Sequence, residues 1–208
     1  MKTCCCIVGG GPAGMMLGLL LARAGVEVVV LEKQADFLRD FRGDTIHPST
    51  LELKHELGIL EDFLKRPHQE VRELGGQIGA DFVKLANFSH LPTRCKFIAF
   101  MPQWDFLDFI NEHGTRYPTF EVNTATEVVD LLEDGGRVVG VKATTPDGPI
   151  EIRADLVVGA DRRHSIVRER AGLEIENLGA PMFGSDARWL LGTEPGAVAT
   201  GLRTQDSR

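Results

Sequence analysis

The stretch "CCCIVGGGPAGMMLGLLLARAGVEVVVLEK" (residues 4–33) decides the fold, because it joins two apolar runs through a glycine-rich turn. The first run has the length and apolar character of a buried parallel strand. A G-x-G-x-x-G pattern follows at residues 9–14, and the helix-like run after it is expected to end at Gly25. The second strand-like run closes with an acid, Glu32. This order predicts a Rossmann-like βαβ unit.

Each glycine of the pattern suits a separate role in binding a dinucleotide. Gly9 permits a tight turn, Gly11 lets the backbone approach a pyrophosphate, and Gly14 lets the helix pack close to the strand. The amino terminus of the helix adds free amides and a partial positive charge. Glu32 stands where a carboxylate would accept the hydroxyls of an adenosine ribose. The stretch therefore predicts a site for an ADP moiety.

Two alternatives for the same stretch stay open. Lys2, the apolar run and the A-x-A form of residues 22–24 imitate a secretory signal peptide. The glycines and Pro12 interrupt that run, whereas a membrane span needs about 20 mostly apolar residues. The second alternative is a glycine-rich turn without function in some other βαβ unit. We expect the dinucleotide site and no membrane segment.

The composition narrows the class of protein. The chain has 208 residues, of which 43% are hydrophobic and 25% charged, as in soluble proteins of one large or two small domains. Its net charge of -7 argues against nucleic acid as a partner. Neighbouring cysteines at residues 4–6 alternate faces on a strand, so we expect reduced thiols and a cytoplasmic location. The histidines show no metal-ligand spacing, and no metal site is expected.

Further motifs follow the glycine turn. The motifs that matter are GGGPAG (9–14), LEK (31–33), RGDTIHPSTLELKHELG (42–58), FMPQWDF (100–106) and DLVVGADRRHSIVRERAG (155–172). Together they resemble the aromatic-ring hydroxylases, the FAD-dependent class A monooxygenases typified by p-hydroxybenzoate hydroxylase. The resemblance runs from about residue 3 to about residue 181.

The resemblance implies FAD as cofactor and assigns residues to its site. In the family's pattern, the fingerprint binds ADP, an arginine contacts phosphate, a glutamine lies near the flavin, main-chain atoms serve the adenine side, and an Asp-Gly motif lies by the flavin. The fingerprint corresponds to Gly9, Gly11, Pro12, Ala13, Gly14, Glu32 and Lys33. The arginine corresponds to Arg42, the glutamine to Gln103, the main-chain position to Val128 and the aspartate of the motif to Asp161. One position departs from the pattern, since Arg162 stands where the family has a glycine. A glycine there would allow the backbone to approach closely or to adopt an unusual φ.

The implied activity is hydroxylation of a small aromatic substrate, with NADH or NADPH as reductant. No acid–base pair is predicted to be catalytic, because the flavin carries most of the chemistry. A homo-oligomer or a missing C-terminal half is the expected partner. Two alternatives remain: a non-catalytic FAD- or ADP-binding remnant that needs a partner, and an NAD(P)-dependent dehydrogenase domain.

The expected fold class is α/β, with a parallel central sheet and an inserted, partial antiparallel sheet. We assign residues 1–69 and 102–182 to FAD binding, 70–101 to substrate-domain strands, and 183–208 to an irregular tail. The family pattern stops after Met182, and we expect a chain truncated before the family's Gly-Asp motif.

Local patterns predict several elements in detail. The pattern predicts a helix with Ser49 as N-cap, a second helix over residues 104–117, an antiparallel meander over 120–152, and a buried strand over 155–159.

Overall fold

The computed structural model describes residues 1–37, 45–78 and 81–176. These residues form two compact units. The first unit contains the described residues of Met1–Arg42 and Gln103–Ile175, and the second those of Gly43–Pro102 and Glu176. The predicted assignment of residues 1–69 and 102–182 to FAD binding stays a prediction. The predicted tail, 183–208, lies outside the described residues.

Helices and strands alternate at first and give way to strands later. In chain order they are β1 (Lys2–Val8), α1 (Pro12–Arg23), β2 (Val28–Leu31), β3 (Thr45–Ile46), α2 (Pro48–Glu56), α3 (Leu60–Phe63), β4 (Gln69–Val71), β5 (Glu73–Ile78), β6 (Asp81–Asn87), β7 (Ile98–Phe100), α4 (Gln103–Gly114), β8 (Phe120–Asn123), β9 (Glu127–Asp134), β10 (Arg137–Thr145), β11 (Gly148–Gly159) and α5 (Ile166–Arg170). Among the described residues, no helix combines the length and apolar character needed to cross a membrane.

One six-stranded sheet organises the first unit, in the order β8-β2-β1-β11-β10-β9. Three neighbouring pairs run parallel, namely β8–β2, β2–β1 and β1–β11. The strand β10 pairs antiparallel with both β9 and β11. The predicted α/β class with a mainly parallel central sheet is therefore confirmed.

Apolar burial explains the βαβ unit at the start of the chain. All four residues of β2 are buried valines and a leucine, as expected for a central parallel strand. Helix α1 ends as predicted, with Gly25 at φ +81° just beyond it. A Cβ at Gly18 would lie 2.9 Å from Val30 and 2.8 Å from the Phe120 ring. A glycine at this position thus lets α1 pack closely on β2 and β8.

The structure corrects two of the predicted strands. The segment 120–152 is not one meander, because β8 pairs in parallel with β2 and the antiparallel meander begins only at β9. Residues 155–159 do not form a separate buried strand. They are the last part of the 12-residue β11, and Leu156 in it is 56% exposed. Strand pairing is non-local, so local apolar runs did not reveal either feature.

The predicted helices are confirmed with shifted ends. Helix α4 begins at Gln103 and ends at Gly114, close to the predicted 104–117. The prediction of Ser49 as N-cap is wrong, because α2 already begins at Pro48 and His47 is its N-cap, without a side-chain capping bond. Proline is favoured at the first helical position, since its missing N–H would be unpaired there in any case.

The second unit contains two small antiparallel sheets, a three-stranded one in the order β3-β7-β4 and the hairpin β5–β6. The strands predicted within residues 70–101 are thus present. Helices α2 and α3 bury Leu51, Leu60 and Phe63 together with Lys54, whose relative exposure is 0%.

Candidate functional site

The carboxyl ends of three parallel strands lie side by side in the first unit. The register pairs Val8 of β1 with Leu31 of β2 on one side and with Gly159 of β11 on the other. The residues that follow these strand ends are therefore level with one another. In open α/β sheets, this edge is where ligands bind.

The glycine-rich turn follows β1 at this edge, and two of its glycines are required by the backbone around them. Gly9 has φ +112°, and a Cβ there would lie 2.4 Å from the carbonyl oxygen of Ala160. A Cβ at Gly14 would lie 2.0 Å from the carbonyl oxygen of Gly9. A larger side chain at either position would push the neighbouring backbone segments apart. The tight turn and the close approach of α1 to that turn therefore both depend on glycine.

Gly11 differs from Gly9 and Gly14, because a side chain at this position would point into open space. Its φ of -77° is ordinary, and no atom of the described residues lies within 4 Å of a Cβ built there. Gly11 is the N-cap of α1, Pro12 follows, and the first turn contains no acidic residue. The first amides of a helix have no intrahelical partner and carry partial positive charge. This end of α1 can therefore accommodate an anion.

Glu32 follows β2 and ties the glycine turn to the sheet. Its side chain is 6% exposed, and Oε2 accepts a hydrogen bond from the Gly10 amide at 2.9 Å. Oε1 accepts one from the Gln34 amide, also at 2.9 Å. The role of Gly10 was not predicted, although a Cβ there would lie 2.7 Å from that of Glu32. The run of three consecutive glycines was the available signal.

The turn after β11 lies against the glycine turn. The Ala160 amide donates to the Val8 carbonyl at 2.7 Å, next to Gly9. Asp161 Oδ2 accepts from the Ile166 amide at 2.7 Å. Its Oδ1 is buried and has no hydrogen-bond partner among the described residues. An acceptor with unused capacity thus stands beside the turn that Gly9 forms.

The remaining predicted residues fall in different places. Lys33 is exposed directly after Glu32. Val128 points into the core of the first unit, where it is 7% exposed, so its side chain cannot face a ligand. Gln103 is half-buried at the start of α4. Arg42 lies outside the described residues.

Two buried thiols of β1, those of Cys5 and Cys6, are protonated at neutral pH. Burial raises the pKa of Cys6, in the middle of the sheet, to about 12, and also raises the pKa of Cys5. None of the four cysteines forms a disulfide. Cys5 and Cys6 are therefore packing groups rather than nucleophiles.

The residues at this edge fit the ADP part of a dinucleotide cofactor on three structural grounds. Open space adjoins Gly11, the amino terminus of α1 has no acidic residue in its first turn, and Asp161 Oδ1 is an acceptor without a hydrogen-bond partner among the described residues. Glu32 is buried at the same edge, level with the turn. Groups that suit the phosphates of ADP therefore lie next to carboxylates that suit the hydroxyls of its ribose.

Comparison with known proteins gives a consistent match. Residues 2–185 match the family described as FAD binding domain. A 6-methylpretetramide 4-monooxygenase from Streptomyces rimosus is 35% identical over 196 residues, which are 91% of this chain and 45% of that protein. An anhydrotetracycline hydroxylase from Streptomyces rimosus is similar in structure, with a TM-score of 0.73 at 30% identity over 85% of this chain and 35% of that one.

A second solved structure is similar over the same part of the fold. A p-nitrophenol 4-monooxygenase from Pseudomonas putida has a TM-score of 0.76 at 27% identity, over 86% of this chain and 46% of its own. The chain therefore spans less than half the length of each of these three relatives.

Proposed function

The chain belongs to the FAD binding domain family, and from that membership we propose that it provides the FAD-binding part of a monooxygenase. The observation that carries the proposal is the shared edge at which Gly11, Glu32 and Asp161 follow three neighbouring strands. Bound FAD supplies the redox chemistry, and the protein's own groups bind it, orient it and exclude water.

Each predicted residue has a proposed task. The turn at residues 9–14 and the amino terminus of α1 bind the diphosphate, and Glu32 accepts from the adenosine ribose. Asp161 Oδ1 accepts from a sugar hydroxyl. The main chain near Val128 serves the adenine, and the remaining positions, Lys33, Arg42 and Gln103, contribute to the ADP, phosphate and flavin portions respectively.

We further propose that NADH or NADPH is the reductant and that the substrate is a small aromatic molecule. The names of the relatives support the substrate class, since they act on a pretetramide, an anhydrotetracycline and a nitrophenol. The unpaired thiols support a cytoplasmic location, where cysteines stay reduced.

The first prediction tests the cofactor site through Gly11. A Cβ at Gly11 has no described atom within 4 Å, so a Gly11→Val side chain would fill the space beside the amino terminus of α1. We expect the fold to be retained and FAD affinity to fall by about tenfold or more, equal to about 1.4 kcal/mol. Visible absorption spectra during titration with FAD measure this.

Gly76→Ala is the matched control, because a Cβ at Gly76 in β5 also meets open space, yet in the other unit. It should bind FAD like the wild type. Equal FAD uptake by the wild type and Gly11→Val would contradict the proposed site. A bound flavin spectrum also separates this proposal from that of an NAD(P)-dependent dehydrogenase.

A second candidate function is an FAD- or ADP-binding half-module that hydroxylates only with a complementary polypeptide. The relatives suggest the source of such a polypeptide, since more than half of each relative lies outside the match. We expect the chain alone to bind flavin without oxidising NAD(P)H. Co-expression with the unmatched C-terminal part of the 35%-identical relative should then restore NAD(P)H oxidation.

A further inference from the structure

Arg162 has a backbone conformation that arginine seldom adopts. Its φ is +73°, in the left-handed region where a Cβ meets the neighbouring carbonyl. Among the described residues, Ala125 is the other non-glycine with positive φ. Residues held in this region point to a functional constraint more often than residues in ordinary conformations do.

The position of Arg162 brings it to the glycine turn. The backbone of Ala160 and Asp161 lies against Gly9, with the Asp161 amide nitrogen 3.0 Å from a Cβ built on Gly9. Arg162 is the next residue, and one trans peptide unit adds about 3.8 Å between Cα atoms. The exposed Arg162 side chain therefore extends from the turn that packs against Gly9.

The turn after β11 carries positive charge that has no ion-pair partner among the described residues. Arg162, Arg163 and His164 are consecutive and exposed, and no side chain among the described residues forms an ion pair with any of them. The nearby Arg170, in contrast, lies 3.7 Å from Asp130. The two arginines, Arg162 and Arg163, place positive charge at this turn in a chain whose net charge is -7. The carboxylate of the preceding residue, Asp161, already accepts from the Ile166 amide through Oδ2.

We propose that Arg162 binds the diphosphate of a dinucleotide at the glycine turn; the inference rests on the proposed function. A guanidinium presents paired donors that match two phosphate oxygens. Next to it, Asp161 Oδ1 is a buried acceptor that suits a sugar hydroxyl. A donor for phosphate beside an acceptor for hydroxyl matches a phosphorylated sugar, the chemistry that FAD and NAD(P)H share.

Isothermal titration with ADP and, separately, with NADPH tests this inference in the full chain. Arg162→Asn removes the charge, and asparagine tolerates positive φ, so the turn is kept. We expect it to weaken binding by about tenfold, as for loss of a charge-assisted hydrogen bond. Arg162→Lys should retain most of the affinity at low salt. Arg137→Asn is the control, because Arg137 is also exposed but lies in the β9–β10 hairpin.

The outcomes separate the inference from the proposed function. A loss confined to ADP assigns the contact to the flavin cofactor, and a loss confined to NADPH assigns it to the reductant; both support the inference. Unchanged or tighter binding of both by Arg162→Asn and Arg162→Gly overturns the inference alone, since arginine would then merely crowd the turn. A wild-type chain that binds neither FAD, ADP nor NADPH overturns the proposed function together with it.

Discussion

At the scale of single residues, the most unusual group is a lysine in the core of the second unit. Lys54 is fully buried, and its Nζ lies 4.5 Å from the centroid of the Phe63 ring. Burial lowers the pKa of Lys54 from 10.5 to about 7, because removal from water disfavours the charged ammonium. The aromatic ring partly compensates for that loss of hydration.

This lysine should make stability depend on pH in a defined window. Between pH 7 and pH 10.5 the unfolded chain binds the proton and the folded chain releases it, so the free energy of unfolding rises with pH. The slope from this group is at most about 1.4 kcal/mol per pH unit. Below pH 7 both states are protonated, and the slope from this group vanishes. Urea unfolding at pH 7 and pH 9 measures it.

Lys54→Met should abolish that slope and raise stability at pH 7, because an apolar chain of similar length needs no hydration. The control is Lys65→Met, whose side chain is 75% exposed and pairs with Asp62 at 2.8 Å. Exposed pairs of this kind contribute little, so that variant should retain the wild-type slope. An unchanged slope in Lys54→Met would mean that the lysine remains hydrated in the folded chain.

At the scale of elements, Glu32 connects β2 to the turn before α1. A glutamine there keeps one carbonyl oxygen but replaces the other acceptor with an NH2 donor, so one of the amides of Gly10 and Gln34 loses its partner. We expect Glu32→Gln to reduce the free energy of unfolding by about 1–3 kcal/mol, the penalty of a buried unsatisfied group. Thermal unfolding without any ligand measures this.

Glu121→Gln provides the comparison for Glu32→Gln. Glu121 lies in β8, is exposed, and accepts from the Asn123 side chain at 3.1 Å. Its substitution should change stability by less than about 0.5 kcal/mol, as is usual at surfaces. If the two variants were equally stable, Glu32 would act on ligands alone and would not hold the turn.

Elements with local signals could be predicted from the sequence, and elements set by distant pairing could not. The order of strand, glycine turn, helix and strand over residues 4–33 follows from apolar runs and glycines that are close in the chain. In contrast, Phe120–Asn123 pairs with β2 across about ninety residues, and no local pattern distinguishes it from a meander strand. Asp161 was found through the resemblance, whereas the bond from Gly10 to Glu32 needed coordinates.

At the scale of the whole molecule, strand β11 completes the site by taking part in two kinds of pairing. It pairs antiparallel with β10 from Gly148 to Arg153 and parallel with β1 from Arg153 to Gly159. One continuous strand therefore leads from the meander to the turn at Asp161, beside Gly9. Because the site consists of segments about 150 residues apart, its assembly requires the complete sheet rather than the first βαβ unit alone.

The last prediction follows from this assembly. A ligand that binds only the folded chain stabilises it by about 2.7 kcal/mol at 100 times its dissociation constant. We expect ADP at that concentration to slow amide hydrogen exchange in residues 9–14 and also in residues 156–167, because both segments line one edge. The same ADP concentration should protect both segments about tenfold less in Gly11→Val, because a tenfold loss of affinity leaves about 1.4 kcal/mol of stabilisation. Protection of residues 9–14 without residues 156–167 would show that the ligand contacts the first βαβ unit only, and equal protection in both proteins would show that ADP binds elsewhere.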